Sequence, residues 1–262
     1  MHYVRAGSGV PPLVFVHGYT CDLSDWNLQL ESLKGRHEVV ACDLRGHGQT
    51  PGRAHECSIE HFGGDVAALL GNFEFPQSIL IGHSMGCRVV LEAARLDPQR
   101  IAGLVLIDGS RQAAGEDAAA EREGRAAIDR AGGYRSWVEV LVEQMFRQPS
   151  DRSRRAVERA LRLPADIGVE LRARQMRWDA AQMDAALASV RVPLMVIQST
   201  WINADGRRLS LERGGNAPWL DLVRSAVPQA RTEILAGLGH FPQLEAPEAV
   251  NRLIEEFAAS SR

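Results

Sequence analysis

The sequence has few cysteines, a single lysine and no long apolar run. Its four cysteines, Cys21, Cys42, Cys57 and Cys87, show no CxxC spacing. They therefore indicate neither a zinc site nor a disulfide framework, and they fit a reducing compartment. No apolar run approaches the ~18 residues that a membrane-spanning helix needs. The first residues, MHYVRAGSGVPP, lack the basic-then-apolar pattern of a signal peptide. We therefore expect a cytoplasmic protein that does not act at a membrane.

An excess of charge of one sign is also missing. Lysine and arginine total 30 and the acidic residues 33, a formal net charge of −3 over 262 residues. This balance gives no reason to expect binding to nucleic acid or to an acidic membrane surface. The sequence has no HExxH motif and no Walker-type loop, so we predict no metal and no cofactor. We expect a small-molecule substrate and a monomer or homodimer.

Short β-branched runs alternate with amphipathic stretches along most of the chain. This alternation predicts a mostly parallel sheet covered by helices on both faces. The predicted strands are Leu13–Val16, Val39–Cys42, Ser78–Ile81, Leu104–Ile107, Leu194–Ile197 and Thr232–Leu235, with His2–Val4 as an antiparallel edge. The predicted helices are Ser24–Leu33, Ile59–Asn72, Met85–Leu96, Pro218–Ala226 and Pro247–Ala259.

The alternation stops between about residues 111 and 190, where no strand is predicted. Apolar residues from Trp137 to Phe146 recur at helical spacing. Three further helical patterns follow at Ser153–Leu163, Ile167–Trp178 and Ala180–Val190. The Ala-rich stretch Gln112–Ala120 is interpreted as a linker into these helices. We predict a core of residues 1–110 and 191–262, with a helical lid, residues 111–190, inserted between two strands.

A candidate nucleophile lies in the segment GHSMG at residues 82–86. It stands between a predicted strand and a predicted helix, the context in which a G-x-S-x-G motif forms a sharp turn that exposes its serine, Ser84. A serine hydroxyl needs a base to take its proton. Of the eight histidines, His240 alone follows the last predicted strand on a Gly-rich loop, so we predict it as the base. We predict that the backbone N–H groups of Tyr19 and Met85 form an oxyanion hole.

Four motifs together resemble the α/β-hydrolase superfamily in their order and spacing. They are HGYT near the start, DLRGHG after the next strand, GHSMG, and GLGHFPQLEAPE near the C-terminus. The resemblance covers roughly residues 1–110 and 190–262. It implies an α/β-hydrolase fold, in which a mostly parallel twisted sheet has helices on both faces and an all-helical lid insertion. It also implies a serine esterase or lactonase with Ser84 as nucleophile, His240 as base, and the amides of Tyr19 and Met85 as oxyanion donors.

The acid that orients the base is where the sequence departs from the family pattern. Many relatives carry Gly-x-x-Asp after the strand before the final helix pair, but here Ser199 and Ile202 occupy those two positions. Asp205 lies further along this long loop and reaches the site only if the loop folds back. Asp108 ends the segment LVLID, and in some relatives the acid follows this earlier strand; a strand end also holds a side chain better than a long loop. We predict Asp108, with Asp205 as the alternative acid; Asp221, or no acid, completes the possibilities.

These residues predict acyl transfer through a covalent intermediate on Ser84. The first expectation is hydrolysis of carboxylic esters or lactones of small to medium apolar substrates. Trp137, Trp178 and Trp201 are predicted to line the substrate pocket, and the alternative is that the tryptophans pack the lid on the core. Three other functions stay open: cleavage of a C–C or thioester bond on the same scaffold, a cofactor-free oxygenase with a His–Asp dyad, and a non-catalytic ligand receptor.

Overall fold

The computed structural model describes residues 1–148 and 150–261. The strands are β1 (Tyr3–Ala6), β2 (Leu13–Val16), β3 (Val39–Cys42), β4 (Ser78–His83), β5 (Ile101–Ile107), β6 (Leu194–Gln198), β7 (Thr200–Ile202), β8 (Arg208–Ser210) and β9 (Arg231–Ile234). The helices are α1 (Asn27–Leu33), α2 (Ile59–Asn72), α3 (Met85–Leu96), α4 (Asp117–Arg130), α5 (Tyr134–Glu143), α6 (Asp151–Ala160), α7 (Ala165–Ala181), α8 (Met183–Ala188), α9 (Pro218–Ala226), α10 (Pro242–Glu245) and α11 (Pro247–Ser260). Across these two ranges, no helix combines the length and the apolar character needed to cross a membrane.

In the described residues, seven strands form one sheet in the order β1-β3-β2-β4-β5-β6-β9. All neighbouring pairs are parallel except β1 with β3, which is antiparallel at the edge, as predicted. β2 and β3 have the predicted bounds, and the ends of the other predicted strands differ by no more than three residues. The carboxyl ends of the parallel strands meet at one edge of the sheet, where open α/β sheets bind their ligands.

The inner strands are apolar on both faces because each face is covered by helices. On β2, Leu13 and Phe15 belong to the core cluster that packs against α1 and α11, whereas Val14 and Val16 belong to the cluster on the opposite face with α2 and α3. All four side chains are fully buried. Continuous burial explains why these strands appear in the sequence as uninterrupted apolar runs rather than alternating ones.

Within the described residues, the connection from β5 to β6 holds the five helices α4 to α8. The four helical patterns predicted here correspond to α5, α6, α7 and α8, and α4 packs along α7. The interpretation of Gln112–Ala120 as a linker is wrong in its second half, because α4 begins at Asp117. Ala, Glu and Arg are strong helix formers, and the Glu116 side chain accepts a hydrogen bond from the backbone N–H of Ala119 at the start of the helix.

A buried ion pair joins this helical segment to the sheet layer. Arg88 on α3 binds Asp179 on α7 with two parallel contacts, Nε to Oδ1 at 2.6 Å and Nη2 to Oδ2 at 2.7 Å. The two side chains are only 1% and 0% exposed. Asp179 Oδ2 also accepts the backbone N–H of Gln112 at 2.8 Å. The pair therefore fixes the position of α7 against the helix that follows Ser84.

Replacing Asp179 with alanine is expected to lower the free energy of unfolding by about 3–5 kcal/mol, because the Arg88 guanidinium would stay buried without its carboxylate. Asp184→Ala is the matched control: Asp184 also pairs with an arginine, Arg111, but is 66% exposed. Such a surface pair contributes about 0–1 kcal/mol. Urea unfolding followed by tryptophan fluorescence compares the two variants, and equal losses would contradict the burial argument.

The segment predicted as a long loop after β6 contains an antiparallel hairpin. β7 pairs with β8, with Thr200 opposite Ser210. In the turn, the Asn203 side chain accepts the backbone N–H groups of Asp205 and Arg207. The dipeptide Asp205-Gly206 between two short apolar stretches is a hairpin signal that could have revealed it. The hairpin therefore determines which side chains of this segment reach the edge of the sheet.

Candidate active site

Ser84 occupies a strained turn between β4 and α3. Its backbone has φ 55° and ψ −112°, a region that non-glycine residues rarely adopt. The two flanking glycines make this turn possible through close approach: a Cβ on Gly82 would lie 2.3 Å from the Gly86 carbonyl oxygen, and one on Gly86 would lie 2.4 Å from the Val16 carbonyl oxygen. The strand and the helix therefore meet closely enough to leave the Ser84 side chain partly exposed at the edge of the sheet.

His240 lies on the loop after β9 and faces Ser84. Its Nε2 is 2.8 Å from Ser84 Oγ. Its backbone N–H donates to the Met145 carbonyl at 2.7 Å, and its own carbonyl accepts from His83 Nε2 at 2.7 Å. The side chain is only 1% exposed. The loop is thus held from two sides, by the segment after α5 and by the last residue of β4.

Asp108 directly follows β5, with a left-handed φ of 46°. Its Oδ2 is 2.6 Å from His240 Nδ1. Its Oδ1 accepts the backbone N–H groups of Ser199 at 2.8 Å and Thr200 at 2.7 Å. Ser199 and Thr200 directly follow β6, so the end of this strand supplies donors to the carboxylate at the end of the neighbouring strand. The structure therefore brings Asp108, His240 and Ser84 into one hydrogen-bonded series.

The alternative acids lie elsewhere. Asp205 is exposed in the turn of the β7–β8 hairpin, and Asp221 is exposed on α9, where both its carboxylate oxygens accept from Asn216 Nδ2. Neither is among the hydrogen-bond partners of His240 in the described ranges. The hairpin instead brings Arg208 to the site, with Nη1 3.3 Å from Asp108 Oδ2. No sequence pattern indicated this arginine, since nothing in a polar segment distinguishes a buried arginine from an exposed one.

The electrostatics of the series favour an ionised acid and a neutral base. Burial lowers the pKa of His240 to about 4, the charge of Arg208 acts in the same direction, and Asp108 opposes both. Burial acts to raise the pKa of Asp108, but the hydrogen bond and charge of His240, with the charge of Arg208, lower it to about 2. At neutral pH the hydrogen-bond network therefore assigns the proton of His240 to Nδ1, which donates to Asp108, and leaves Nε2 free to accept from Ser84.

Tyr19 and Met85 both lie near Ser84. Tyr19 follows Gly18, whose position is so close to the serine that an added Cβ would lie 3.1 Å from Ser84 Cβ. Met85 is the first residue of α3, where backbone N–H groups have no partner inside the helix. In residues 1–148 and 150–261, neither amide has a protein acceptor. The Tyr19 hydroxyl donates to the Gly168 carbonyl at 2.7 Å, which ties this loop to α7.

The three tryptophans predicted to line a pocket have different surroundings. Trp137 on α5 is half-buried, with its ring edge-on to that of Tyr19 at 5.8 Å between centroids and the Arg172 guanidinium 5.5 Å from its ring. Trp201 on β7 is also half-buried. Trp178 on α7 is 1% exposed and belongs to the hydrophobic core cluster that also contains residues of α2 and α3. The prediction for Trp178 therefore needs correction: it packs the core and leaves no surface to a substrate.

The cysteines and the possible metal ligands give little support for a thiol nucleophile or a metal site here. All four cysteines are buried and free. Burial raises the pKa of Cys87, which lies on the same helix as Met85, to about 12 and that of Cys57 to about 11, so they stay protonated. In the described part of the chain, no three His, Cys, Asp or Glu side chains are grouped to hold a metal ion. Compared with the buried, protonated thiols of Cys57 and Cys87, Ser84 is the better nucleophile candidate, because His240 lies at hydrogen-bond distance from its hydroxyl.

A cleft lies beside the loop that carries Tyr19. It has a volume of about 770 Å³ and is lined by, among others, Thr20, Cys21, Gly46, Arg159 and Ile167. Thr20 and Cys21 directly follow Tyr19, and Ile167 precedes Gly168, which binds the Tyr19 hydroxyl. Ser84 and His240 are not among its lining residues. The cleft therefore borders the Tyr19 loop rather than the hydrogen-bonded series itself.

The sequence profile of the alpha/beta hydrolase family matches residues 13–253. The chain belongs to this family. The fold class predicted from the sequence is thereby confirmed. This alpha/beta hydrolase is 30% identical over 253 residues to the dihydrolipoyllysine-residue acetyltransferase component of the acetoin cleaving system of Pseudomonas putida, with 96% of this chain and 64% of that protein covered. The chain thus spans less than two thirds of that relative.

Two further similarities cover nearly the whole chain of this alpha/beta hydrolase. It is 26% identical over 266 residues to Esterase YbfF of Escherichia coli K12, covering 94% of this chain and 92% of that protein. Among solved structures, the enol-lactonase from Burkholderia xenovorans LB400 has a TM-score of 0.75 at 22% identity, with 98% and 96% of the two chains covered. At that identity, the structural likeness speaks for the fold alone.

Proposed function

We propose that this alpha/beta hydrolase cleaves carboxylic esters or lactones of small to medium apolar substrates through an acyl-enzyme on Ser84. The observation that carries the proposal is the hydrogen-bonded series, with 2.8 Å between Ser84 Oγ and His240 Nε2 and 2.6 Å between His240 Nδ1 and Asp108 Oδ2. These are the distances that a nucleophile, its base and an orienting acid need for proton transfer. The esterase relative of similar length agrees with this reaction class.

In the first half-reaction, Ser84 Oγ attacks the carbonyl carbon while His240 Nε2 takes its proton. The carbonyl oxygen becomes an oxyanion, which the backbone N–H groups of Tyr19 and Met85 stabilise with two hydrogen bonds. Asp108 holds the imidazole in the required tautomer and stabilises the imidazolium. The tetrahedral intermediate then collapses, the C–O bond to the leaving alkoxide breaks, and His240 returns the proton to that oxygen.

In the second half-reaction, water replaces the alcohol. His240 Nε2 accepts a proton from water, whose oxygen attacks the acyl carbon, and the ester bond to Ser84 breaks as the serine regains its proton. The carboxylic acid leaves. With a lactone, the leaving alkoxide stays part of the acyl group, so a single hydroxy acid is released.

Residues 111–190 are proposed as a lid over a core formed by residues 1–110 and 191–262. Two contacts support this role: Met145, just after α5, binds the His240 backbone, and Gly168 on α7 binds the Tyr19 hydroxyl. The helical segment therefore touches the protein on both sides of Ser84. The half-buried Trp137 extends from it towards Tyr19, and such aromatic surface favours apolar acyl groups in the site.

The proposal is tested with p-nitrophenyl acetate and butyrate, a panel of lactones of increasing size, and a fluorophosphonate that labels activated serines. We expect hydrolysis of the short esters and stoichiometric labelling of the peptide that contains Ser84. Absence of both turnover and labelling would exclude a serine hydrolase and favour the receptor or the oxygenase. Labelling without turnover of any ester or lactone would instead favour C–C or thioester cleavage on the same nucleophile.

A further inference from the structure

Arg208 on β8 is buried against the acid of the hydrogen-bonded series. Its side chain is 6% exposed. Its Nη1 donates to Thr200 Oγ1 at 2.7 Å and lies 3.3 Å from Asp108 Oδ2. Thr200 Oγ1 in turn donates to the same Asp108 oxygen at 2.5 Å. In the described chain, Asp108 is the only carboxylate that pairs with this guanidinium, and a buried cation is stable only with such a partner.

The contact between Arg208 and Asp108 is important because of the carboxylate oxygen that the guanidinium approaches. Asp108 Oδ2 is also the oxygen that accepts His240 Nδ1–H at 2.6 Å. An aspartate whose main charged partner is the histidine would direct its negative charge towards the imidazolium that forms when Ser84 loses its proton. Here a permanent cation binds the same oxygen, so part of that negative charge is already balanced.

We propose that Arg208 is a positioning residue that acts on His240 through Asp108: by balancing the carboxylate, it keeps the imidazole uncharged, and so able to accept the Ser84 proton, in mildly acidic water. The inference rests on the proposed function for its catalytic meaning. Its physical content, the effect of Arg208 on the charge of His240, can be measured without any substrate.

The other charged or titratable groups that face His240 have partners of their own. They are His83, which donates to the His240 carbonyl; Arg88, which pairs with Asp179; Glu245, which accepts the Gly239 N–H; and Arg147, which donates to the Gly237 carbonyl. None of these four contacts Asp108 in the described ranges. A change at Arg208 therefore leaves them in place and alters the one cation that touches the acid.

The experiment follows the protonation of His240 by NMR in full-length protein with ¹³C at histidine Cε1. The resonance is assigned by its loss in His240→Gln. Arg208→Gln removes the charge but keeps an N–H donor, Arg208→Lys keeps the charge, and Arg207→Gln makes the same charge change at the neighbouring, exposed position. Circular dichroism at each pH defines the range in which each protein is folded.

In the wild type we expect His240 to titrate near pH 4. In Arg208→Gln the midpoint should rise by about one pH unit, because no arginine then balances the negative charge of the Asp108 carboxylate. At pH 4.5 the neutral fraction would then fall about threefold. Arg208→Lys and Arg207→Gln should both stay near the wild type. A wild-type midpoint above pH 6, or equal midpoints in Arg208→Gln and Arg207→Gln, would overturn the inference. If Arg208→Gln does not fold, the midpoints of the wild type and of Thr200→Val decide the matter. Thr200→Val removes the hydroxyl that bridges Arg208 to Asp108 and leaves the guanidinium only its 3.3 Å contact with the carboxylate.

The rate of fluorophosphonate labelling of Ser84 against pH separates this inference from the proposed function. Arg208→Gln should shift the acid limb upward without lowering the alkaline plateau, whereas a merely structural role would lower the rate equally at every pH. A labelled wild type whose acid limb does not move with Arg208→Gln contradicts the inference and leaves the function intact. A wild type that is not labelled contradicts the function, and the imidazole titration still decides the role of Arg208.

Discussion

Ser84→Ala is expected to reduce kcat for p-nitrophenyl butyrate by about 10⁴- to 10⁶-fold and to abolish labelling by fluorophosphonate. Without Oγ, the base at 2.8 Å has no nucleophile to activate, and only the oxyanion donors and substrate binding remain to help water attack. His240→Gln should cause a loss of similar size. The double variant should be no slower than either single one, because residues that act as a unit are not additive.

Ser78→Ala is the matched control for this prediction. Ser78 begins the same strand, β4, at its opposite end, and its buried hydroxyl has no partner in the described chain. Its removal should leave kcat and labelling unchanged. Ester turnover by Ser84→Ala within tenfold of the wild type would show that the reaction does not pass through this serine.

Local sequence patterns were sufficient to predict features that depend on residues close together in the chain. The turn at Ser84 needs glycine at positions 82 and 86, because a Cβ at either position would lie too close to nearby backbone. The G-x-S-x-G spacing is the sequence pattern that this requirement produces. The bounds of β2, β3, α2, α3 and α9 agree with the prediction for the same reason. His240 was predicted because one loop, after the last strand, combines glycine with a single histidine.

Features that depend on contacts between distant segments could not be predicted with the same certainty. The choice between Asp108 and Asp205 depends on how the end of β6 meets the end of β5, where Ser199 and Thr200 bind the Asp108 carboxylate across more than ninety residues of chain. Arg208 reaches this carboxylate through a hairpin that a loop-like composition concealed. Trp178 was misplaced because helical spacing alone does not tell which face of α7 is buried.

Asp108→Asn is expected to lower kcat by about 10⁴-fold, whereas Asp205→Asn should change it by less than about twofold. Six donor atoms surround the Asp108 carboxylate: the amide and hydroxyl groups of Ser199 and Thr200, Arg208 Nη1 and His240 Nδ1. An asparagine side chain offers these donors only one acceptor oxygen, so its NH₂ group must face some of the other donors.

Either orientation of the asparagine amide leaves a mismatched hydrogen-bond partner. With NH₂ towards His240, Nδ1 must become the acceptor, so the proton moves to Nε2 and the base can no longer take the Ser84 proton. With NH₂ towards Ser199 and Thr200, it meets two backbone N–H groups that need an acceptor. Asp205, exposed in its turn, has no such constraint. Steady-state kinetics on folded variants, checked by circular dichroism, compare the two changes, and the reverse ranking would make the hairpin aspartate the acid in solution.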